Sequence, residues 1–98
     1  MQSIQRVKSF VGFAVRADKV VWGTDNVLAY KKKLRLVLVS RDLAENALQK
    51  LRAYADAKPA RLVVLSDVTV AELVHRDGVK AIGITDKNLS DAIISELE

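Results

Sequence analysis

The sequence predicts a three-layer α/β/α sandwich with a four-stranded mixed sheet. Segments with apolar residues at helical spacing alternate with short apolar runs along the whole chain, which starts and ends with a helix. The connections between them are short, as in sheets that carry helices on both faces. The chain has 98 residues, of which 50% are hydrophobic. That is enough for one core, so we expect residues 1–98 to form a single domain.

An amphipathic helix is predicted over residues 3–17, where apolar side chains recur at helical spacing. Gly12 lies inside this helix and costs about 1 kcal/mol relative to alanine. We therefore expect a neighbouring backbone to approach closely there. Asp18 and Lys19 form a turn, and the apolar residues 20–22 form a short strand.

This strand is predicted to pass directly into a second helix over residues 24–33. Gly23 supplies a permissive backbone, and the residues that follow it are good N-cap side chains. They are Thr24, Asp25 and Asn26. Unpaired N–H groups at such a helix start, together with the helix dipole, attract anions.

Residues 34–40 are almost continuously apolar. Such a run predicts a strand that is covered on both faces and lies centrally in the sheet. Asp42 is predicted to cap a third helix, with Glu45 completing a capping box. Lys58 and Pro59 end that helix.

The remainder of the chain continues the alternation. We predict a strand over residues 61–65, a short helix over 68–75, a strand over 80–85 and a final helix after residues 86–88.

The charges of the chain are unevenly distributed, although the net charge is only +4. Residues 1–41 hold nine Lys and Arg and two Asp, a net charge of +7, whereas residues 42–98 hold seven basic and ten acidic residues, a net charge of −3. Segregation of this kind is typical of proteins that bind polyanions, nucleic acids above all.

Several classes of function are disfavoured by composition. The chain has no cysteine, so disulfides, thiolate metal sites and thiol nucleophiles are absent. Its one histidine, His75, ends a short predicted helix without a convergent partner, and no phosphate-binding loop or dinucleotide fingerprint occurs. We expect no enzyme, no cofactor, no metal and no small-molecule substrate. No apolar run approaches the roughly 20 residues that span a bilayer, and we expect a cytoplasmic protein without a membrane partner.

Residues 10–19, Phe-Val-Gly-Phe-Ala-Val-Arg-Ala-Asp-Lys, followed by Gly23, resemble the opening of the bacterial YlxQ-like proteins. The pattern of those proteins is Gly-Leu-Ala-x-Arg-Ala-Gly-Lys, with a glycine four residues after the lysine. Residues 36–39, 42–46 and 84–87 also resemble that family in order. The resemblance implies membership of the superfamily of the ribosomal proteins L-seven-Ae and L-thirty-e, which are α/β/α sandwiches. Many members bind kink-turn RNA, a sharply bent duplex with tandem sheared G·A pairs.

The resemblance also implies an RNA-binding site at the start of the second helix. In RNA-binding members, the glycine that ends the first strand is followed by x-Asn-Glu-x-x-Lys. Gly23 and Thr24 match the glycine and its neighbour, Asp25 falls on the Asn, Asn26 on the Glu and Ala29 on the Lys. Sheared G·A pairs expose guanine N–H donors and a carbonyl acceptor, which carboxylate or amide oxygens and a cation can read. Asp25 and Asn26 can accept, whereas Ala29 cannot donate.

This chain departs from the family pattern at two further places. Asp18 replaces the glycine of the first turn, and the connection before residue 34 is shorter and lacks its glycine. We expect four cations to contact phosphate at the site, with Lys32 about one helical turn, or 5 Å, beyond Ala29. They are Lys19, Lys31, Lys32 and Arg41.

The resemblance places a second RNA-facing loop after the third strand, where family members pack apolar atoms on an extruded nucleotide. Its match here includes Ser66 and Val68. Topology puts the loop at residues 40–42 on the same rim, so three loops are expected to converge at one end of the sheet.

Structural explanations remain open for the same residues. The turn at residues 23–26 is also a well-capped helix start, and Lys31-Lys32-Lys33 is also a solvated helix end favoured by the dipole. Trp22 either stacks on a base or packs against the first or second helix.

The sequence thus predicts a small, monomeric, non-enzymatic RNA-binding protein that recognises kinked or structured RNA. A link to ribosomes and translation follows by analogy with the family. The alternative is a protein-interaction module of the same fold that has lost structure-specific RNA recognition.

Overall fold

The computed structural model describes residues 4–97 and confirms the predicted α/β/α sandwich with a four-stranded mixed sheet. Its elements are α1 (Ile4–Arg16), β1 (Val20–Trp22), α2 (Thr24–Ala29), β2 (Leu36–Ser40), α3 (Glu45–Ala57), β3 (Arg61–Leu65), α4 (Val70–Val74), β4 (Ala81–Ile84) and α5 (Lys87–Leu97). No helix within residues 4–97 is long and apolar enough to cross a membrane.

The direction of the strands fixes where each connection lies. The order across the sheet is β1-β4-β2-β3, with β4 antiparallel to both of its neighbours and β2 parallel to β3. β1, β2 and β3 therefore all run the same way. We call the edge where these three strands end the carboxyl edge, and the opposite edge, where they begin, the amino edge.

Helices cover both faces of the sheet. On one face α1, α4 and α5 pack against Leu36 and Leu38 of β2, and on the other α2 and α3 pack against Val37 and Val39. All five residues of β2 are buried. The prediction of a central strand covered on both faces is confirmed, because alternate side chains enter separate apolar layers.

The turn after α1 explains why Asp18 stands where the resembling family has glycine. Asp18 has a φ of 57°, in the left-handed region that aspartate tolerates better than most residues. The Lys19 N–H donates to Ala14 O at 2.8 Å and the Asp18 N–H to Val15 O at 3.2 Å. This pair of bonds is a Schellman motif, which ends α1 and turns the chain into β1.

The predicted boundaries of two helices are wrong. The second helix ends at Ala29, and the connection through Lys33 to Arg35 is irregular. The third helix begins at Glu45 with Ala44 as its N-cap, and Asp42 does not cap it.

The predicted short helix begins later than residue 68. Thr69 is its N-cap, and Thr69 and Glu72 form a capping box before Val70–Val74. His75 ends the helix in the left-handed region, at a φ of 56°.

Two glycines differ in their surroundings. A Cβ added to Gly83, in the centre of β4, would lie 2.8 Å from Cδ1 of Leu34, which is 2% exposed. A Cβ at Gly12 would meet only the Arg16 guanidinium, at 3.4 Å. The expected close approach of a backbone at Gly12 is therefore wrong, and the close approach in this fold is that of the Leu34 side chain to Gly83.

We predict opposite effects of one chemical change at these two glycines. Gly83→Ala should lower the free energy of unfolding by about 1–3 kcal/mol, because the buried Leu34 side chain has to shift. Gly12→Ala, the matched control, should raise it by about 0.5–1 kcal/mol, because alanine restricts the unfolded chain and favours the helix. Urea denaturation of both variants measures the difference. A stability loss at Gly12 as large as that at Gly83 would contradict this account.

Candidate nucleic-acid interface

The three expected loops all lie at the carboxyl edge. The turn at residues 23–26 follows β1, the loop at 40–42 follows β2 and the loop at 66–68 follows β3. Since these strands run in one direction, their carboxyl ends share one edge. Neighbouring strands lie about 4.8 Å apart, so the outer two loops are separated by about 14 Å.

Gly23 makes the corner between β1 and α2. Its φ of 83° and ψ of 160° lie in a region that is essentially restricted to glycine. Its N–H donates to Ala81 O at 2.9 Å, which ties the corner to the first residue of β4. Gly23 itself is the N-cap, so the expected side-chain cap from residues 24–26 is wrong. α2 has only six residues, and its short dipole does not make an anion site without neighbouring side chains.

Asp25 and Asn26 are both exposed in the first turn of α2. The Asn26 Nδ2 donates to Trp22 O at 2.8 Å, which holds the amide group against the end of β1. The Oδ1 of Asn26 accepts no hydrogen bond from the described residues. The turn therefore presents an amide oxygen and a carboxylate as acceptors at the carboxyl edge. Thr24 stands next to them, half-buried.

Trp22 is partly buried against the layer that contains α1, and Arg76 covers its ring. The Arg76 Cζ lies 3.9 Å from the centroid of the Trp22 ring, within cation–π distance. The packing interpretation of Trp22 is the one that the structure supports. Sequence reasoning missed Arg76, because nothing local connects it to a tryptophan so far away in the chain.

Buried hydrogen bonds hold the loop after β2 in place. The Ser40 N–H donates to Lys80 O at 2.9 Å, and Ser40 Oγ accepts from the Val70 N–H at 2.8 Å. Arg41 is exposed beside this anchor, and Asp42 forms a surface ion pair with Lys80 at 3.5 Å. Asp42 therefore pairs with Lys80 and not with the neighbouring Arg41.

The loop after β3 presents fewer side chains to a nucleotide than expected. Ser66 and Asp67 are exposed, but Val68 is only 6% exposed and belongs to the core. The expectation that Val68 packs on a nucleotide is therefore wrong, because its side chain already packs inside the protein.

The expected cations do not share one edge. Arg41 lies at the carboxyl edge, whereas Lys19 precedes β1. The Lys19 carbonyl accepts from the N–H of Thr85, the residue that follows β4, at 3.0 Å. Lys31 and Lys32 belong to the connection that leads to the start of β2. The placement of Lys19 on the same rim as Gly23 is wrong, and so is the placement of Lys32 one turn along the second helix. All three lysines lie at the amino edge.

The two edges consequently differ in charge. At the carboxyl edge, the connections and the first turn of α2 carry three cations and four carboxylates: Arg41, Arg76, Lys80, Asp25, Asp42, Asp67 and Asp77. At the amino edge, the connections carry six cations and two carboxylates: Lys19, Lys31, Lys32, Lys33, Arg35, Lys58, Asp18 and Asp86. Within these segments, the charge of the carboxyl edge is nearly balanced, and the amino edge is strongly basic.

The chain shares its fold with a solved structure. That structure, of a protein with unknown function from Bacillus halodurans C, is similar to this chain with a TM-score of 0.85. The two chains are 19% identical, and the similarity covers 94% of this chain and 96% of that one. At this identity the similarity shows the fold alone. No protein-family model and no curated protein matches the sequence.

We predict that Ser40 determines the stability of the carboxyl edge. Ser40→Ala should lower the free energy of unfolding by about 1–3 kcal/mol, because the buried Val70 N–H loses its acceptor. Ser66→Ala, an exposed serine at the same edge, should change it by less than about 0.5 kcal/mol. Chemical denaturation of the two variants provides the comparison. Equal stabilities would show that the Ser40 hydroxyl contributes nothing.

We predict that Arg76 shields Trp22, the one tryptophan of the chain. Arg76→Ala should expose one face of the indole ring to water and shift its fluorescence emission to longer wavelength. The loss of stability should be about 0.5–1 kcal/mol, as for an exposed cation–π pair. Arg41→Ala removes a cation from the same edge and should leave the emission unchanged. An unchanged spectrum in Arg76→Ala would refute the contact.

Proposed function

We propose that the protein binds structured RNA without catalysing a reaction, and that it belongs to the kink-turn-binding superfamily that its sequence resembles. The carboxyl edge would read the RNA. The observation that carries this proposal is the arrangement at Gly23: a turn that only glycine adopts, followed by two exposed acceptors, at the edge where the other two loops converge. Gly23 is among the residues that carry the resemblance, and Asp25 and Asn26 occupy the positions of the family's Asn and Glu.

The chemistry of the turn suits exposed guanine edges. Guanine in a sheared G·A pair offers N–H donors, and the Asp25 carboxylate and the Asn26 Oδ1 can accept from them. The bond from Asn26 Nδ2 to Trp22 O orients the amide before RNA binds, so little side-chain entropy is lost on binding. Arg41 and Arg76 are the cations of this edge that can approach phosphate.

Ala29 limits what this site can recognise. It is exposed on α2 at the position of the family lysine, and the chain turns toward the amino edge immediately after it. A guanine carbonyl at that point would have no cationic donor from α2. We therefore expect discrimination between kinked and unkinked RNA to depend on Asp25 and Asn26.

We predict that a gel-shift assay will separate a kink-turn RNA from a copy with its G·A pairs replaced. The double variant Asp25→Ala and Asn26→Ala should reduce the preference for the kinked RNA about tenfold, because a good pair of base-edge contacts contributes about 1–3 kcal/mol of discrimination. The matched control is Asn88→Ala with Asp91→Ala, an exposed pair on α5. Its preference should equal that of the unaltered protein.

Two results would reject the proposal. Equal affinity of the unaltered protein for both RNAs would exclude structure-specific recognition, and an unchanged preference in the Asp25 and Asn26 variant would exclude this turn as the reader.

The nearly balanced charge of the carboxyl edge favours one second candidate, a protein-interaction module of the same fold. Ala29 also fits this alternative, because a protein-interaction module has no need of a cation that donates to a guanine carbonyl. Purification after nuclease digestion distinguishes the two, since a protein partner bound through the carboxyl edge survives the treatment and an RNA-bridged partner does not.

A further inference from the structure

The six cations of the amino edge form no ion pair with any residue among 4–97. Neither of the two carboxylates in the same connections, Asp18 and Asp86, forms an ion pair with these cations. Asp86 has another role, because its Oδ1 accepts from the Leu89 N–H at 2.9 Å at the start of α5. Asp56, in the last turn of α3, lines a different groove with Arg52. Lys31, Lys32, Lys33 and Lys58 line one groove, and cations that share a groove repel one another unless an anion lies among them.

The backbone that carries most of these cations is firmly held. In the connection between α2 and β2, Tyr30 O accepts from the Tyr54 hydroxyl at 2.7 Å, and Lys32 O accepts from Lys58 Nζ at 2.7 Å. Burial, and then the neighbouring Tyr30, raise the pKa of the Tyr54 hydroxyl, so it keeps the proton that it donates. Leu34 anchors the same connection in the core.

This anchoring leaves the charged side chains directed to solvent. Lys31, Lys32, Lys33 and Arg35 are all exposed, on both sides of the buried Leu34. A backbone that is already ordered loses little further conformational entropy when a ligand binds. The connection therefore presents a preformed row of cations.

An open groove of about 330 Å³ runs beside this row. It is lined by Lys31, Lys32, Lys33, Tyr54, Ala57 and Lys58. The Lys58 ammonium lies 5.3 Å from the centroid of the Tyr54 ring and 6.0 Å from that of Tyr30, which fixes the ammonium at the side of the groove. None of the described residues that line the groove is acidic.

We propose that the amino edge is a second nucleic-acid surface, which binds the phosphate backbone of double-stranded RNA without regard to sequence or kink. This goes beyond the proposed function, because it uses neither base edges nor the turn at Gly23. The five residues of β2 separate the two edges by about 17 Å. The two surfaces therefore contact different phosphates.

An RNA backbone fits this surface better than an acidic protein does. Protein interfaces are built around an apolar centre, with aromatic and aliphatic side chains that become buried. The large hydrophobic residues exposed within residues 4–97 are Phe13 and Val64, which lie on α1 and β3 and not in the amino-edge connections. What the amino edge offers is charge and donors, which is what a phosphate backbone requires.

The test is the salt dependence of binding to a plain RNA duplex that contains no G·A pairs. Lys32→Gln with Lys33→Gln should lower the slope of log affinity against log salt by up to about 2, since each phosphate contact contributes about 0.9 to the slope. The matched control is Lys8→Gln with Lys50→Gln, which removes the same charge from the middles of α1 and α3. Its slope should stay close to that of the unaltered protein. Thermal unfolding checks that both variants remain folded.

Three outcomes would overturn the inference. The first is an unchanged slope in the Lys32 and Lys33 variant, and the second is an equal loss in the control, which would indicate a diffuse effect of net charge. The third is binding of polyglutamate, but not of the duplex, through these lysines, which would assign the surface to an acidic protein.

The binding of plain duplex RNA at the amino edge can be tested separately from the proposed function. The Lys32 and Lys33 variant should lower the affinities for kinked and unkinked RNA by the same factor. The Asp25 and Asn26 variant should instead change the ratio between the two affinities. Each proposal can therefore fail while the other stands.

Discussion

The insertion of β4 between β1 and β2 is the constraint on which the other features depend. β4 is antiparallel to both neighbours, so it forces β1 and β2 to run in the same direction and to end at the same edge. Glycine is favoured at residue 83 of β4 because a side chain there would displace the buried Leu34. Leu34 anchors the connection after α2 in the core, and its neighbours Lys33 and Arg35 are exposed at the amino edge.

The two edges are chemically distinct because of this arrangement. At the carboxyl edge, hydrogen bonds to the start of β4 position Gly23 and Ser40, and cations and carboxylates nearly cancel. A neutral edge with oriented acceptors is suited to reading bases, where hydrogen bonds decide specificity. Among residues 4–97, the connections of the amino edge carry six cations and two carboxylates, an excess of positive charge that is suited to a phosphate backbone. The two proposals thus place reading and attachment of RNA at opposite ends of the same strands.

The fold class and the order of the elements could be predicted because each element has a local signal, such as the apolar run of β2 or the amphipathic pattern of α1. The end of α2 could not be predicted in this way. Three lysines are compatible with a helix end, and no local feature shows that Leu34 must pack over Gly83. The position of Arg76 over Trp22 is likewise a tertiary contact. The edge at which Lys19 lies can be predicted from the sequence, since a residue that precedes a strand lies at the opposite edge from the glycine that follows it.

Electrostatic screening determines how the two edges can cooperate. At physiological salt the Debye length is about 8 Å, roughly half of the separation between the edges. The cations of the amino edge therefore add little to the potential at Asp25 and Asn26, and they cannot attract a short RNA to that turn. They can act on the turn only through an RNA long enough to touch both edges. For such an RNA, attachment at one edge raises the effective concentration of the other segment at its own edge. If both proposals hold, the near neutrality of the carboxyl edge does not weaken binding, because the RNA itself connects the reading surface to the charged one.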